Sequence, residues 1–571
     1  MTAAAPAVAH WPRGLPDALE AAMNAAARGE RPGPFSPQEV ARLDAREEFP
    51  AEACAVLDAC GLARAYVPAP LGGAGGGLPE LLASLRAVAR RDVTVAVAHG
   101  KTYLGSVPTW VAGDDRQRRA LARRVLDEHA VVSWGLTEPG RGSDLLAGRL
   151  TATPDGPGGG HRLDGTKWPV NNATRGDLVS VLARTSPDGG PRGFSIFLVD
   201  KSRLPPGSWS ALPKEPTHGI RGADISGIRF TGAGTPADAA TGAPGQGLEI
   251  VLRSLQLTRT VCTALSLGAG EHALRLAHAF AAGRELYGTT LLRLPLARRV
   301  LGRAAASLEL ADAAALLAAR SAHCLTGEMS VVSAVAKAGV PDIVQQTIDE
   351  LAELLGARGY LTGLHAHGMF QKLERDHRIV GVFDGTTAVN RSALISQFPV
   401  LARLAREGRH DGPGLAAALG TGLPPLDHAA LRLTSRTGCS VVQALPTAVE
   451  RLLGHPRAHA AATALAEETA RLAGAMAALR PAAARDTPAE AFALARRYEL
   501  CFAGAAAVHL LAAAPGDPVR APRLTAAAER ALELLVPGRQ APDDAYEPLL
   551  AALPSPAEDP RHAHPVKEPL A

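Results

Sequence analysis

The chain has 571 residues, of which 47% are apolar, 20% are charged and 4% are aromatic, and its formal net charge is +4. This length allows several domains with large cores, while so small a net charge, without a lysine–arginine stripe or a zinc-finger pattern, argues against a nucleic-acid-binding protein. No apolar stretch is long enough for a membrane span, and six scattered cysteines without a CxxC pair indicate free thiols in a reducing cytoplasm.

The first part of the chain is predicted to be helical after an irregular start. Residues 1–35 are rich in proline and alanine and are expected to be partly disordered. They lack a basic start followed by an apolar core, so we expect no signal peptide and a cytoplasmic protein. Apolar residues at helical spacing follow, as in FPAEACAVLDACGLARAYV and LPELLASLRAVARR, and predict a helical domain over residues 36–130.

Residues 131–240 change to short β-type runs separated by turns. DLVSVLART and GFSIFLVD are predicted strands on either side of the turn cluster SPDGGPR, and ISGIRFTGAG is a further strand. The pair Asp164-Gly165 is typical of a tight hairpin turn. This region therefore predicts a central antiparallel β domain.

Helical sequence returns over residues 241–400, where an apolar pattern too long for one uncapped helix predicts a packed bundle. Residues 401–571 contain GRHDGPG and GTGLPPLD, which are typical of a linker, then alanine-rich helical sequence, and they end in SPAEDPRHAHPVKEPLA, a predicted disordered tail. The predicted fold is mainly α, with a central antiparallel β domain, a helical bundle domain and a C-terminal helical extension.

Four stretches, in chain order, resemble segments of the acyl-CoA dehydrogenase family. TEPGRGSD, residues 137–144, resembles the signature TEPGxGSD, and LDGTKWPVNNATRGD resembles the segment NGxKxWITN. AGRELYG resembles the RxxFG turn, and KLERDHRIVGVFDGTTAVNRSAL resembles the segment that carries the catalytic carboxylate. The resemblance covers roughly residues 40–400 and implies a flavoprotein oxidoreductase with a helical domain, a β domain and a four-helix domain.

The resemblance implies that the protein holds FAD where its domains meet. Backbone groups of residues 134–137 and the Thr137 hydroxyl would bind the flavin ring, and Ser143 would lie near the thioester arm of the substrate or the phosphates. Without the resemblance, this stretch is a Pro-Gly turn capped by Ser143 and Asp144. The residues implied to bind FAD are Trp134, Leu136, Thr137, Ser143, Pro169, Asn171, Arg284, Gly356, Thr386 and Asn390.

Some residues depart from the family pattern. Pro169 and Asn171 stand where the family has Trp and Thr, so an indole that covers one flavin face is missing, and Trp168 is the candidate to replace it. Asn171 can still donate and accept hydrogen bonds. Glu353 stands where the family has a glutamine near FAD, and its negative charge would repel a phosphate, so it is a poor candidate for that contact.

Arg284, in AGRELYG, matches an arginine that binds a pyrophosphate, which a guanidinium can do with two hydrogen bonds at once. In the family this contact reaches the FAD of a neighbouring subunit, so the resemblance implies a homodimer or homotetramer. From its residue type alone, Arg284 is an exposed arginine at a helix end, where the helix dipole favours a positive charge.

Asp384, in FDGTTAVN, stands where the family carries its catalytic base, usually a glutamate followed by Gly-Thr. Thr258 stands at the position used by members that carry the base earlier in the chain, and Arg259 beside it would help to hold the substrate. Aspartate reaches about 1.5 Å less far than glutamate, and a displacement of about 1 Å can cost on the order of a hundredfold in rate. From residue types alone, Asp384 is a turn residue before glycine.

Three functions are compatible with these residues. The first is α,β-dehydrogenation of an acyl thioester on CoA or on a carrier protein, with the α-proton passing to Asp384, the β-hydride to flavin N5, and electrons onward to an electron-transfer flavoprotein or oxygen. The second is a flavin oxidase or monooxygenase, since an aspartate at this place is also a feature of nitroalkane oxidases. The third is a non-catalytic, FAD-stabilised binding protein. No metal site is predicted, because His365 and His367 have no further ligands at metal spacing.

Overall fold

The computed structural model describes residues 9–28, 32–156, 159–188, 190–480, 483–542 and 544–553. Within these ranges, helices precede and follow a central sheet in the predicted order. The predicted disordered tail SPAEDPRHAHPVKEPLA lies outside the described residues. No helix in the described part is long and apolar enough to cross a lipid bilayer.

Six helices form the N-terminal part. They are α1 (Gly14–Ala26), α2 (Pro37–Arg46), α3 (Ala51–Ala59), α4 (Gly77–Ala89), α5 (Val93–Ala112) and α6 (Asp115–Asp127). Helix α2 begins after Ser36, whose Oγ accepts the Glu39 N–H at 3.3 Å. Helix α1 lies within residues 1–35, and its Leu19 and Met23 side chains are fully buried in the core. Part of the segment that is expected from the sequence to be partly disordered therefore forms a packed helix, and residues 1–8 and 29–31 lie outside the described residues.

Eight strands form a mixed central sheet. They are β1 (Val132–Gly135), β2 (Thr151–Asp155), β3 (Gly160–Asn171), β4 (Leu178–Arg184), β5 (Phe194–Asp200), β6 (Trp209–Leu212), β7 (Ile225–Thr235) and β8 (Ala240–Thr241). The order is β6-β7-β3-β2-β4-β5-β8, and β1 pairs with β4 in parallel, with Val132 opposite Leu178. The sheet is thus not antiparallel throughout, because the long connection that contains β2 and β3 lets β4 run beside β1 in the same direction.

The pair Asp164-Gly165 lies inside β3, so the predicted hairpin turn at this point is wrong. Strands β2 and β3 pair as far as Asp155 opposite Gly160, and the chain turns beyond that pair. Gly165 has a φ of +133° and lies at a shift in register against β7, and a Cβ there would lie 2.8 Å from Leu150 Cα. The glycine therefore marks a bulge at which two backbone segments approach closely.

The bundle is built around one long helix. Its elements are α7 (Gly247–Gly283), β9 (Glu285–Leu286), β10 (Thr289–Thr290), α8 (Pro295–Cys324), α9 (Met329–Leu355), α10 (Ala357–Tyr360), α11 (Met369–His377) and α12 (Thr387–Ile395). The apolar pattern that exceeds an ordinary helix forms a single helix of 37 residues, α7. This length is stable because α4, α5, α8 and α9 all pack against α7 and bury it on most sides.

The C-terminal helices share the core of the bundle. They are α13 (Phe398–Arg406), α14 (Gly412–Leu419), α15 (Ser440–Gln443), α16 (Leu445–Glu450), α17 (Pro456–Ala478), α18 (Ala489–Ala513), α19 (Arg520–Leu535) and α20 (Glu547–Ala551). Helices α18 and α19 pack against α8, and one cluster of buried apolar residues extends from Ala9 to Leu549. The sheet has a separate cluster of its own.

The segment with the composition of a linker is fixed to the bundle. Helix α14 forms inside it, where Asp411 Oδ1 accepts the Gly414 N–H at 2.8 Å. From α8, the buried Arg320 guanidinium donates to the carbonyl oxygens of Ala418 and Gly420. These bonds replace the hydrogen bonds that a free linker would make with water, so the C-terminal extension is not tethered by a loose connection.

Candidate active site

Asp384 lies in a tight turn between a short 3₁₀ segment (Arg378–Gly381) and α12. Its φ is +54° and that of Gly385 is +93°, so two successive residues are in the left-handed region, which aspartate tolerates better than most residues. Thr386 ends the turn by capping α12, since its Oγ1 accepts the Val389 N–H at 3.2 Å. This turn therefore places Asp384 just before the start of α12.

Three buried side chains fix the backbone of this turn. Arg259 Nε, from α7, donates to the Asp384 carbonyl at 3.0 Å. Asn390 Nδ2, from α12, donates to the Gly385 carbonyl at 2.8 Å, and Lys337 Nζ, from α9, lies 3.4 Å from the same oxygen. Asn390 and Thr386 thus both support the turn, and their contact with FAD stays a prediction. The same holds for the predicted contact of Arg259 with the substrate.

The Asp384 carboxylate forms no ion pair with the described residues. Its Oδ2 lies 3.8 Å from Cys262 Sγ, a weak donor. Burial raises the pKa of Cys262, and the Asp384 charge adds to this effect, so the thiol stays neutral. Lys101, Lys337 and Arg259 all interact electrostatically with Asp384. This carboxylate can therefore accept a proton without first breaking an ion pair.

Buried polar contacts fix the segment that precedes the turn. From α11, Lys372 Nζ lies 2.7 Å from Asp92 Oδ1 and 2.6 Å from Asp376 Oδ2. His377 Nε2 lies 2.9 Å from Ser266 Oγ of α7. Burial lowers the pKa of His377 to about 3, so this histidine is neutral near pH 7. Helix α11 is thereby held against both α5 and α7.

Two other residues noted from the sequence do not take the role assigned to Asp384. Thr258 is fully buried, and its hydroxyl finds no hydrogen-bond partner in the described part of the chain. Arg391, seven residues after Asp384, donates to Glu499 of α18 at 2.9 and 2.8 Å. Asp384 is therefore the carboxylate in this segment that is left without a cationic partner among the described residues.

The ends of β1 and β3 form the second part of the candidate site, in addition to the Asp384 turn. Thr137 Oγ1 donates to the Pro169 carbonyl at 3.0 Å, and the Trp168 N–H donates to the Thr137 carbonyl at 2.9 Å. Trp134 Nε1 and Asn171 Oδ1 are buried without a hydrogen-bond partner in the ranges that the structure covers. Because unsatisfied buried polar atoms are costly, this donor and this acceptor indicate a ligand with complementary groups.

The Trp168 ring is held by the sheet. Its Nε1–H donates to Glu215 Oε1 at 3.1 Å, and a Cβ at Gly227 would lie 3.1 Å from Trp168 Cδ1. Trp168 and the exposed Pro169 lie at a shift in the register of β3 against β7, between Lys167 and Val170, where the regular alternation of side chains is interrupted. The expectation that Trp168 replaces the missing indole stays a prediction.

Glu138 and Lys167 fix the TEPGRGSD loop, a role that sequence analysis missed. Lys167 Nζ lies 2.7 Å from Glu138 Oε1 and donates to the Leu136 carbonyl at 3.0 Å. The other Glu138 oxygen accepts the Arg149 N–H at 2.6 Å. Burial alone would raise the Glu138 pKa, but Lys167 and the backbone N–H groups outweigh it and keep the pKa below its usual value. The loop thus rests on a buried ion pair.

Ser143 lies exposed in the same loop. The next residue, Asp144, accepts the Ala147 N–H at 3.2 Å and so caps a short turn, as the turn interpretation predicts. A contact between Ser143 and a thioester or phosphate stays a prediction.

Lys101, on α5, lies near both the Asp384 turn and Trp134 of β1, and sequence analysis did not identify it. Its Nζ lies 5.9 Å from the centroid of the Trp134 ring, and it interacts electrostatically with Asp384 and Cys262. None of the described residues accepts a hydrogen bond from its ammonium group. The signal in the sequence is a single lysine within the apolar helical run VTVAVAHGKTYLGSV.

Arg284 and Gly356 lie far from this site. Cys262 and Arg284 are separated by 22 residues on α7, which corresponds to about 33 Å. Gly356 follows the end of α9, and Arg358 Cζ lies 5.8 Å from the Phe280 ring, so the ends of α7 and α9 are adjacent. The Arg284 guanidinium has no hydrogen-bond or ion-pair partner among the residues described. The predicted FAD-binding residues therefore form two groups within one chain.

Known proteins share the sequence pattern and the fold of this chain. Sequence models for the N-terminal, middle and C-terminal domains of acyl-CoA dehydrogenases match residues 35–129, 133–233 and 245–397. The probable acyl-CoA dehydrogenase fadE25 of Mycobacterium leprae is 28% identical over 354 residues, which cover 62% of this chain and 89% of that protein.

Two solved structures show the same fold. Butyryl-CoA dehydrogenase from Megasphaera elsdenii is 22% identical with a TM-score of 0.60, over 66% of this chain and 97% of that chain. An acyl-CoA dehydrogenase complexed with FAD from Bacillus anthracis is 18% identical with a TM-score of 0.67, over 96% of this chain and 91% of that chain, so the likeness includes the C-terminal helices. Because three consecutive domain models of one family together match more than half of the chain, this protein belongs to the acyl-CoA dehydrogenase family of flavin-dependent oxidoreductases.

Proposed function

We propose that the protein dehydrogenates an acyl thioester at its α and β carbons, and that Asp384 is the base that takes the α-proton. The observation that supports this most is the state of Asp384, whose backbone is fixed by Arg259, Asn390 and Lys337 while its carboxylate is free of ion pairs with the described residues. A general base must be held in place and still be able to accept a proton, and Asp384 meets both conditions.

FAD is the cofactor that this site fits. The orphaned Trp134 Nε1 and Asn171 Oδ1, on β1 and β3, offer one donor and one acceptor, and Pro169, two residues before Asn171, is exposed. When bound, FAD would supply the acceptor for the β-hydride. The chain would hold Asp384 and the thioester in line. The Cys262 thiol beside Asp384 is neutral, so it places no second negative charge next to the base.

The substrate thioester and the final electron acceptor also have to be assigned. We place the thioester, carried by CoA or a carrier protein, beside the exposed Ser143, and an electron-transfer flavoprotein or oxygen as the final acceptor. A decisive experiment is anaerobic titration of the purified holoprotein with a panel of acyl-CoA and acyl-carrier thioesters, with flavin bleaching and the enoyl product as readouts. Peroxide formation with nitroethane would instead favour the oxidase function, and bound FAD that no thioester bleaches would overturn dehydrogenation.

A second copy of the chain would complete the FAD site. Arg284 lies about 33 Å along α7 from Cys262, which contacts Asp384, and Gly356 lies near the same end of the bundle, so both are candidates to contact the FAD of a partner. Close to them in the chain, Tyr287 and Tyr360 are 94% and 84% exposed. Large exposed aromatic side chains around an unpartnered arginine favour a subunit interface, and we therefore propose a homodimer or a homotetramer.

A further inference from the structure

The half-buried Lys101 ammonium stands at the proposed reaction site without a protein acceptor. Its neighbours one turn away on α5 are the apolar residues Ala98 and Leu104, and its Nζ lies over the Trp134 ring at 5.9 Å. A charged group in such surroundings is costly unless it is paired. Among the described residues, no oxygen lies at hydrogen-bonding or ion-pair distance from it.

The other two cations near the base turn are already used. Arg259 Nε and Lys337 Nζ donate to backbone carbonyls of the turn segment, whereas Lys101 donates to no backbone carbonyl of the described residues. Lys101 also forms no ion pair with Asp384, although the two side chains interact electrostatically. Its charge is therefore available to something that enters the site.

An acyl group has to pass close to Lys101 if the proposed function is correct. Asp384 must reach the α-carbon of the thioester, and Lys101 lies near enough to Asp384 to interact with it electrostatically while its Nζ lies 5.9 Å from the Trp134 ring of β1. A purely hydrocarbon chain would leave the ammonium unpaired. A short chain that ends in a carboxylate would pair with it.

We propose that Lys101 makes this enzyme select acyl thioesters whose acyl group carries a carboxylate a few bonds from the α-carbon. This inference rests on the proposed function. The reaction itself is unchanged, because the α-proton passes to Asp384, the β-hydride passes to FAD, a carbon–carbon double bond forms, and the distal carboxylate keeps its charge and its bonds.

The test compares acid and ester forms of the same acyl chain. The holoprotein is titrated anaerobically with glutaryl-CoA and adipoyl-CoA, each beside its terminal methyl ester, and flavin bleaching is followed. The acids should reduce the flavin at lower concentrations than the esters. The substitution Lys101→Gln should raise the concentration needed for the acids by about ten- to a hundredfold more than it raises that for the esters, while Lys101→Arg should keep the preference for acids.

The control and the contrary outcomes separate this proposal from the proposed function. Lys214→Gln removes one positive charge from a half-buried lysine that pairs with Glu47, and it should not alter the preference. If Lys101→Gln weakens acids and esters equally, Lys101 acts only on Asp384 and the proposal is wrong. Wild-type enzyme that prefers the esters would also overturn it, even if the variant does not fold, but would leave dehydrogenation standing. Dehydrogenation itself fails if no thioester of any kind bleaches the flavin.

Discussion

Arg259 Nε lies 3.0 Å from the carbonyl oxygen of Asp384, so α7 holds the backbone of this proposed base, while none of the described residues forms an ion pair with its carboxylate. The two residues are 125 positions apart in the chain, and the base therefore reaches its position only when α7 and the turn before α12 have packed together. Backbone anchoring suits an aspartate, because its short side chain has little reach with which to correct an error in the turn.

Replacing the base should abolish flavin reduction without loss of the cofactor. In Asp384→Asn the side chain keeps its size, and asparagine also tolerates the left-handed φ of this position, but it cannot take the α-proton. We expect anaerobic reduction by an acyl thioester to slow by at least about 10²-fold, measured by stopped-flow absorbance, with unchanged FAD content. Reduction at the wild-type rate would remove Asp384 as the base.

Loss of the Arg259 anchor should affect turnover more than substrate affinity. Arg259→Gln removes the bond to the Asp384 carbonyl, and a shift of about 1 Å in the base lowers kcat on the order of a hundredfold. Steady-state kinetics would show this as a fall in kcat with little change in KM. A rise in KM at unchanged kcat would instead support the predicted contact between Arg259 and the substrate, and Arg259→Lys shows how much of either effect depends on charge alone.

His377 should make the folded state sensitive to acid. Burial lowers its pKa to about 3, from 6.5 in the unfolded chain, and the nearby charges of Lys337 and Arg378 act in the same direction. The unfolded state therefore binds the proton first, so the stabilisation is complete above pH 6.5 and is lost as the pH falls towards 3, by about 1.4 kcal/mol per pH unit. Thermal unfolding between pH 4 and 7 should show a shallower loss in His377→Gln than in wild type, while exposed His218→Gln should follow wild type.

The order of helices and strands and the turn that contains Asp384 could be predicted because both rest on local patterns, whereas the role of Asp384 as the base comes from the family resemblance and stays a prediction. Helical periodicity, the TEPGRGSD loop and the Asp-Gly-Thr turn are all visible within a few residues. The Asp164-Gly165 pair led to a wrong prediction of a turn because turn propensity is a local property. Gly165 is instead required by the close approach of Leu150, which belongs to another segment of the chain. Lys101 could not be identified as a site residue for the same reason, because nothing in the sequence of its helix shows that α5 lies near Asp384 in the fold.

The C-terminal extension should contribute directly to the stability of the bundle. Arg391→Met removes the cation that pairs with Glu499, whose side chain is only 1% exposed, and breaking a buried pair costs about 3–5 kcal/mol, less if Glu499, whose pKa burial already raises to about 7, takes up a proton. Denaturant unfolding should show this as a large fall in the midpoint. Arg403→Met, which removes a mostly exposed partner of Glu407, should cost less than about 1 kcal/mol. Equal effects of the two substitutions would mean that α18 is not part of the cooperative unit.

The position of Arg284 predicts that two subunits share one FAD site. Arg284→Ala should lower FAD retention during gel filtration, because the guanidinium has no partner among the described residues and lies about 33 Å along α7 from Cys262. A loss of FAD alone does not tell whether the arginine serves its own subunit or the partner, so mixed oligomers are needed.

Mixing two inactive variants answers this question. In an oligomer of Asp384→Asn and Arg284→Ala subunits, an arginine that serves the partner gives one site with a native base from the second subunit and a native arginine from the first. If Arg284 serves its own subunit, every site carries one of the two defects. We therefore expect unfolding and joint refolding with FAD to restore thioester-dependent reduction that neither variant shows alone, whereas mixtures as inactive as their components would place Arg284 in its own subunit's site or outside the FAD site.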